Sequence, residues 1–189
     1  MITSSYFAAL ERHRSVFSIV EQYAQQAEQL LTVVSNSLKR GGKVIWMGNG
    51  GSAADSQHLA AEFMVRYKLD RSPLASIALT TDSSILTAHS NDYQFATVFS
   101  RQVQGLAKPE DVVIGLTTSG QSENINLALA AANQLGAYTV AFTGRDGGKV
   151  KDIAQLPIIV QSEETARIQE VHMFIGHWLC EALDLELAL

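Results

Sequence analysis

Apolar positions along this chain follow two rhythms. Near the amino end Phe17, Val20, Ala24, Ala27, Leu31, Val34 and Leu38 recur at helical spacing until Gly41-Gly42 stops the run, which predicts an amphipathic helix. Short apolar runs follow at 43–47, 74–79, 111–116, 138–142 and 156–160, each bounded by glycine, proline or small polar residues, and these read as five strands. Helical spacing returns between them. It opens at Ser52, covers 83–107 in two pieces divided near Ser90-Asn91-Asp92, runs to Leu135 after the second loop, and ends in a last helix after Ser162-Glu163-Glu164 with Ile168, Val171, Ile175, Leu179 and Leu183 on its buried face. Strands alternating with helices predict an α/β fold: a five-stranded parallel sheet flanked by helices on both faces. The helical pattern of residues 1–40 exceeds what one face of a small sheet needs, so part of it is expected to pack on another subunit.

Composition narrows the class. A chain of 189 residues, 47% hydrophobic and 17% charged, suits one domain, 1–189, with a substantial core. The net charge of -5 gives no basic footprint for nucleic acid. The first residues lack the basic and apolar regions of a secretion signal, and no apolar run reaches the ~20 residues of a membrane helix, so a cytoplasmic protein with no membrane partner is expected. Single Cys180 excludes an internal disulfide and a thiolate-rich metal site.

Chemistry concentrates in two loops and two helices. Gly48-Asn49-Gly50-Gly51-Ser52 lies between the first strand and a helix with Ser52 near its N-cap, a setting in which backbone N–H groups favour an anion. The run also matches a dinucleotide fingerprint, but the acid after the second strand, Asp82, comes too far along and the Lys of a P-loop is missing. The second loop, Thr117-Thr118-Ser119-Gly120-Gln121-Ser122, carries four hydroxyls where capping needs one, enough to surround a phosphate. Both loops follow strand ends, where open parallel sheets bind ligands, and together they favour a phosphorylated small molecule. His58 and Glu62 stand four apart on one helix face. Gln169 and His177 stand eight apart on the last helix, about 80° round it, so both face one cleft. His172, among apolar neighbours, reads as a core histidine.

These residues resemble the sedoheptulose 7-phosphate isomerase (phosphoheptose isomerase) family of the sugar isomerase (SIS) fold. The resemblance is carried by Gly48-Asn49-Gly50-Gly51-Ser52, His58 with Glu62, Arg66-Tyr67, Asn91-Asp92, Thr117-Thr118-Ser119-Gly120 with Ser122, Thr143-Gly144 with Asp146-Gly147-Gly148, and Arg167-Ile168-Gln169-Glu170 with His177. It implies a flavodoxin-like three-layer fold and a homotetramer with active sites at subunit interfaces, residues 1–40 serving assembly. It implies an aldose–ketose isomerase that converts sedoheptulose 7-phosphate to D-glycero-D-manno-heptose 7-phosphate through an enediol, opening heptose synthesis for lipopolysaccharide. Glu62 and His177 correspond to the acid/base pair. Ser52, Thr117, Thr118, Ser119 and Ser122 correspond to groups around the phosphate and neighbouring hydroxyls; Asn49, Gly50, Gly51, Arg66, Asn91, Asp92 and Gln169 complete the substrate site. One zinc ion per subunit, on His58, Glu62, Gln169 and His177, is implied as well. Ala166 departs from members with Asp at that position, and Thr117 replaces a Ser while keeping the hydroxyl. The rival readings are a non-catalytic adaptor of the same fold, which lacks the acid/base pair, and an isomerase of another sugar phosphate.

Overall fold

A computed structural model describes residues 2–187; residues 1, 188 and 189, the ends of the expected 1–189 span, lie outside the described residues. The chain begins with helices α1 (Ile2–Phe17) and α2 (Ala24–Lys39), separated by a 3-10 turn at Val20–Tyr23. The single amphipathic helix expected from about Phe17 is therefore broken at its start. Tyr23 explains the break, because it is buried and its hydroxyl accepts the Gln161 N–H at 3.1 Å, drawing the chain in toward the sheet.

Five strands follow: β1 (Val44–Gly48), β2 (Ser76–Ala78), β3 (Val112–Thr117), β4 (Tyr138–Gly144) and β5 (Leu156–Val160). They are joined by α3 (Gly51–Met64), α4 (Ser83–Asp92), α5 (Val98–Leu106) and α6 (Glu123–Gln134), and α7 (Thr165–Leu187) closes the chain. All pairings are parallel, in the order β2-β1-β3-β4-β5. The second strand is shorter than its apolar run because it lies at the sheet edge, pairing only with β1 and leaving Ile77 38% exposed.

The strand alternation sorts the core into two layers. Trp46, Ile114, Leu116, Phe142 and Ile158 face α2, α3 and α7, where Leu30, Leu59, Phe63, Ile168 and Leu179 meet them. Ile45, Met47, Val113 and Ala141 face α5 and α6, against Val103, Ile125 and Leu129. The order reverses direction between β1 and β3, so the loops after these two strands flank the crevice where such sheets bind ligands. Among the described residues no helix is long and apolar enough to cross a membrane.

His172 ties α7 to the sheet. It is fully buried, its Nε2 donates to the Thr143 carbonyl at 3.0 Å, and its Nδ1 is buried without a partner. Burial pushes its pKa from 6.5 down to about 4, against the opposing pull of the Thr143 carbonyl. Between those values the unfolded chain holds a proton that the folded chain refuses. Stability is therefore expected to fall as pH drops through this window, by about 3 kcal/mol from this group, and to level off below it. Urea unfolding across the window checks this, with a shallower fall expected for His172→Phe.

Candidate active site

The first loop turns at Gly50, whose φ of 58° lies in the left-handed region that glycine enters freely. Gly50 occupies the N-cap of α3, and Ser52, expected there, sits inside the first turn with its N–H bonded to the Asn49 carbonyl at 3.1 Å. The turn is made one step earlier because the chain reverses at Gly50, which buries Ser52 over Gly48. Asn49 points across to α6: its amide and that of Asn124 exchange two hydrogen bonds, each 2.9 Å. Sequence reading passes over Asn124, whose partner lies 75 residues away and leaves no periodic mark.

The second loop is held by its own hydroxyls. Thr117 Oγ1 accepts the Gly120 N–H at 3.2 Å and lies 3.1 Å from Ser122 Oγ, while Ser119 Oγ accepts the Gln121 N–H at 3.2 Å. Thr117 is buried; Thr118, Ser119 and Ser122 are half-buried, at the carboxyl end of β3 beside the N-terminus of α6. A cavity of about 350 Å³ opens beside the two loops, lined by Asn49, Phe95, Ala96, Ser122, Glu123 and Asn124. Amide, hydroxyl and apolar groups line it together with the Glu123 carboxylate, a mixture suited to hydrogen-bonding sugar hydroxyls.

The reactive groups come from α3 and α7. These helices touch closely at Gly176, where any Cβ would meet the Leu59 side chain at 2.7 Å. The next residue, His177, consequently reaches His58: their Nε2 atoms lie 3.0 Å apart, and Glu62 Oε1 lies 3.8 Å from His58 Nε2. Tyr67 stacks on the His177 ring with centroids 5.7 Å apart. Burial lowers the His177 pKa, the neighbouring charge of His58 lowers it further, and Glu62 pulls the other way. The net effect favours the neutral imidazole. Gln169 reaches the first loop, its amide nitrogen only 2.6 Å from where a Cβ on Gly51 would stand. That loop thus accepts no side chain at Gly51 without displacing Gln169.

His58, Glu62 and His177 are brought together, and Gln169 abuts the glycine loop beside them. Arg66, Asn91 and Asp92 are not gathered in: all three are exposed, Asn91 donating to Asp92 at 2.8 Å and Arg66 reaching the Lys68 carbonyl at 3.5 Å. One further acid went unnoticed in the sequence. Asp55, three residues before His58, has a buried carboxylate oxygen with no hydrogen-bond partner, and burial raises its pKa against the opposing effect of His58. Its i,i+3 relation to His58 was the available signal.

The donor set also bears on a metal. Two nitrogens bound tetrahedrally to one zinc at 2.0–2.1 Å stand about 3.3 Å apart, close to the spacing of the facing His58 and His177 Nε2 atoms. Among the described residues no three His, Cys, Asp or Glu side chains are already gathered as a metal cluster. The histidine pair with Glu62 and the Gln169 amide is a nitrogen–oxygen set that suits zinc by its chemistry.

The SIS domain family matches residues 5–144. The phosphoheptose isomerase of Aquifex aeolicus is 56% identical over 167 residues, covering 88% of this chain and 87% of that protein. That of Akkermansia muciniphila is 49% identical over 171 residues, 90% of each. Among solved structures, the phosphoheptose isomerase of Neisseria gonorrhoeae superposes with a TM-score of 0.92 at 37% identity, over 97% of this chain and 99% of that one. The phosphoheptose isomerase from Francisella tularensis gives 0.94 at 31% identity, over 98% and 99%.

Proposed function

This chain belongs to the SIS domain family, and from that premise we propose that it is a phosphoheptose isomerase, interconverting sedoheptulose 7-phosphate and the corresponding aldose phosphate. The observation that carries the reading is the convergence of His58, Glu62 and His177 from two helices, at a cavity lined in part by Gln169 and His177.

The phosphate is received by the hydroxyls and backbone N–H groups of Thr117, Thr118, Ser119 and Ser122, with Ser52 on the facing loop. Asn49, Gly50 and Gly51 form the wall along the sugar. Isomerisation then needs a base to remove the C1 proton of the ketose, an enediol, and an acid to protonate C2 while protons move between O1 and O2. Glu62 moves the carbon-bound proton. His177, neutral because its pKa is depressed, exchanges protons with the oxygens. Gln169 orients the end of the sugar nearest the glycine loop.

His58, Glu62, Gln169 and His177 are the residues that would hold one zinc ion per subunit. Such an ion would supply Lewis-acid stabilisation to negative charge on the sugar oxygens. A homotetramer with sites at its subunit interfaces is the assembly that best uses the surface: Tyr6 and Phe7 on α1 are 66% and 57% exposed, and Phe174 on α7 is 46% exposed. It also gives the outlying Arg66, Asn91 and Asp92 a sugar to contact.

The test is turnover. Sedoheptulose 7-phosphate incubated with the protein is expected to yield the aldose phosphate, followed by NMR, with turnover lowered by chelation and restored by zinc. Absence of aldose would overturn the isomerase reading, whereas turnover indifferent to chelation would leave Glu62 and His177 acting without a metal.

A further inference from the structure

The two halves of the reactive cluster sit on different helices, Glu62 at the end of α3 and His177 in the middle of α7, and the loop between α3 and β2 joins them. Arg71 on that loop is almost fully buried with Asp184 of α7, their side chains 4% and 2% exposed, and its Nε donates to Asp184 Oδ1 at 2.7 Å. Its other nitrogens reach α3 and the loop itself: Nη2 donates to the Glu62 carbonyl at 3.0 Å, and Nη1 to the Phe63 carbonyl at 2.9 Å and the Ser72 carbonyl at 3.1 Å. The last carbonyls of a helix lack partners within it, and a cation there is favoured by the helix dipole, so the guanidinium closes the end of α3. Asp184 Oδ2 accepts the N–H groups of Lys68 and Leu69, each at 2.9 Å. That anchors the loop directly after Tyr67, whose ring lies on His177. Burial opposes the charge of Asp184, but these two N–H groups and Arg71 outweigh it and hold the carboxyl below its usual range. Asp184 lies seven residues beyond His177, two turns along the same helix face.

We propose that Arg71 and Asp184 form a positioning clamp for catalysis, fixing the Glu62 turn of α3 against α7 and so setting how Glu62, His58 and His177 meet. The clamp rests on the reading of Glu62 and His177 as the proton-transfer pair. Its bonds run to the backbone of the residue that carries the base and to the loop that stacks on the imidazole. A buried ion pair of purely structural use is replaceable by well-packed apolar side chains with little loss of stability, whereas a positioning pair is not replaceable in its effect on rate.

Two variants separate these cases. Arg71→Lys keeps the charge and loses the planar fork that reaches four acceptors. The double variant Arg71→Met with Asp184→Leu removes the pair without leaving a buried lone charge. With sedoheptulose 7-phosphate as substrate, both are expected to lose at least about tenfold in kcat with KM within about twofold, because the phosphate loops lie on other elements. The double variant is expected to lower the thermal midpoint by less than either single removal, because the Glu62 carbonyl and the N–H groups of Lys68 and Leu69 lose their partners but no lone charge is buried, and its kcat is read below that midpoint. If kcat stays within about twofold in Arg71→Lys, or recovers together with stability in the double variant, the clamp is structural only and the proposal fails. Should the double variant not fold, Arg71→Lys decides by the same kcat and KM criterion. No turnover by the unmutated protein would overturn the isomerase reading and the clamp with it; normal turnover beside unaffected variants would overturn the clamp alone.

Discussion

Glu62→Gln is expected to lower kcat for sedoheptulose 7-phosphate by about 10²- to 10⁴-fold while leaving KM nearly unchanged and the fold intact. The substitution keeps the size of a side chain that is 21% exposed at the α3–α7 junction, so packing gives little reason for change. It removes the one group of the cluster that can take a carbon-bound proton as a carboxylate. Binding rests mainly on the two strand-end loops, and the loss therefore appears in kcat. Steady-state kinetics with circular dichroism on the same preparation checks both halves of the expectation. A Gln variant with the turnover of the unmutated protein would remove Glu62 from the chemistry.

Gly120→Ala is expected to destabilise the protein by about 3–5 kcal/mol and to raise KM in whatever fraction remains folded. Gly120 has a φ of 66°, where an alanine is strained whatever the space around it. Space is also lacking: a Cβ there would run into the Gly147 carbonyl and stand 2.9 Å from Gly148 Cα, both backbone atoms that no rotamer change can move. The loop after β4 would have to retreat, and Thr117, Thr118 and Ser119 with it, because the Gly120 N–H is bonded to Thr117 Oγ1. Gly105, on α5 with no atom within 4 Å of its absent Cβ, is the control. Gly105→Ala is expected to be neutral or to stabilise by up to about 1 kcal/mol in the same urea titration.

The architecture was legible in the chain because both faces of the sheet are covered. Strands such as 111–116 then read as unbroken apolar runs, and the amphipathic helices between them leave a parallel sheet as the only economical arrangement. Helix boundaries were less legible. The turn at Val20–Tyr23 depends on a hydrogen bond that the Tyr23 hydroxyl accepts from the N–H of Gln161, 138 residues away, and the N-cap moved from Ser52 to Gly50 because backbone conformation, rather than side-chain capping, makes that turn.

Within the site, His58 and Glu62 could be paired from spacing alone, whereas the contact between His58 and His177 spans 119 residues and needs the fold. The same holds for the Asn49–Asn124 exchange and for Arg71 with Asp184, residues that would pass individually for surface polar groups. Local periodicity records which face of an element is apolar. It does not record which polar side chain of one element meets which of another. Asn91 and Asp92 show the converse: a motif placed them in a sugar site, but in one chain they stand exposed at the end of α4.

The central claim is that Glu62 and His177 isomerise a phosphorylated ketose by proton transfer through an enediol. It is tested most directly by running the conversion of sedoheptulose 7-phosphate in deuterium oxide and reading the aldose by NMR. The account predicts an aldose phosphate carrying solvent deuterium at C2, and loss of that signal along with turnover in Glu62→Gln. Undiminished turnover and deuterium incorporation in Glu62→Gln, or no aldose at all from the zinc-supplied protein, would contradict it.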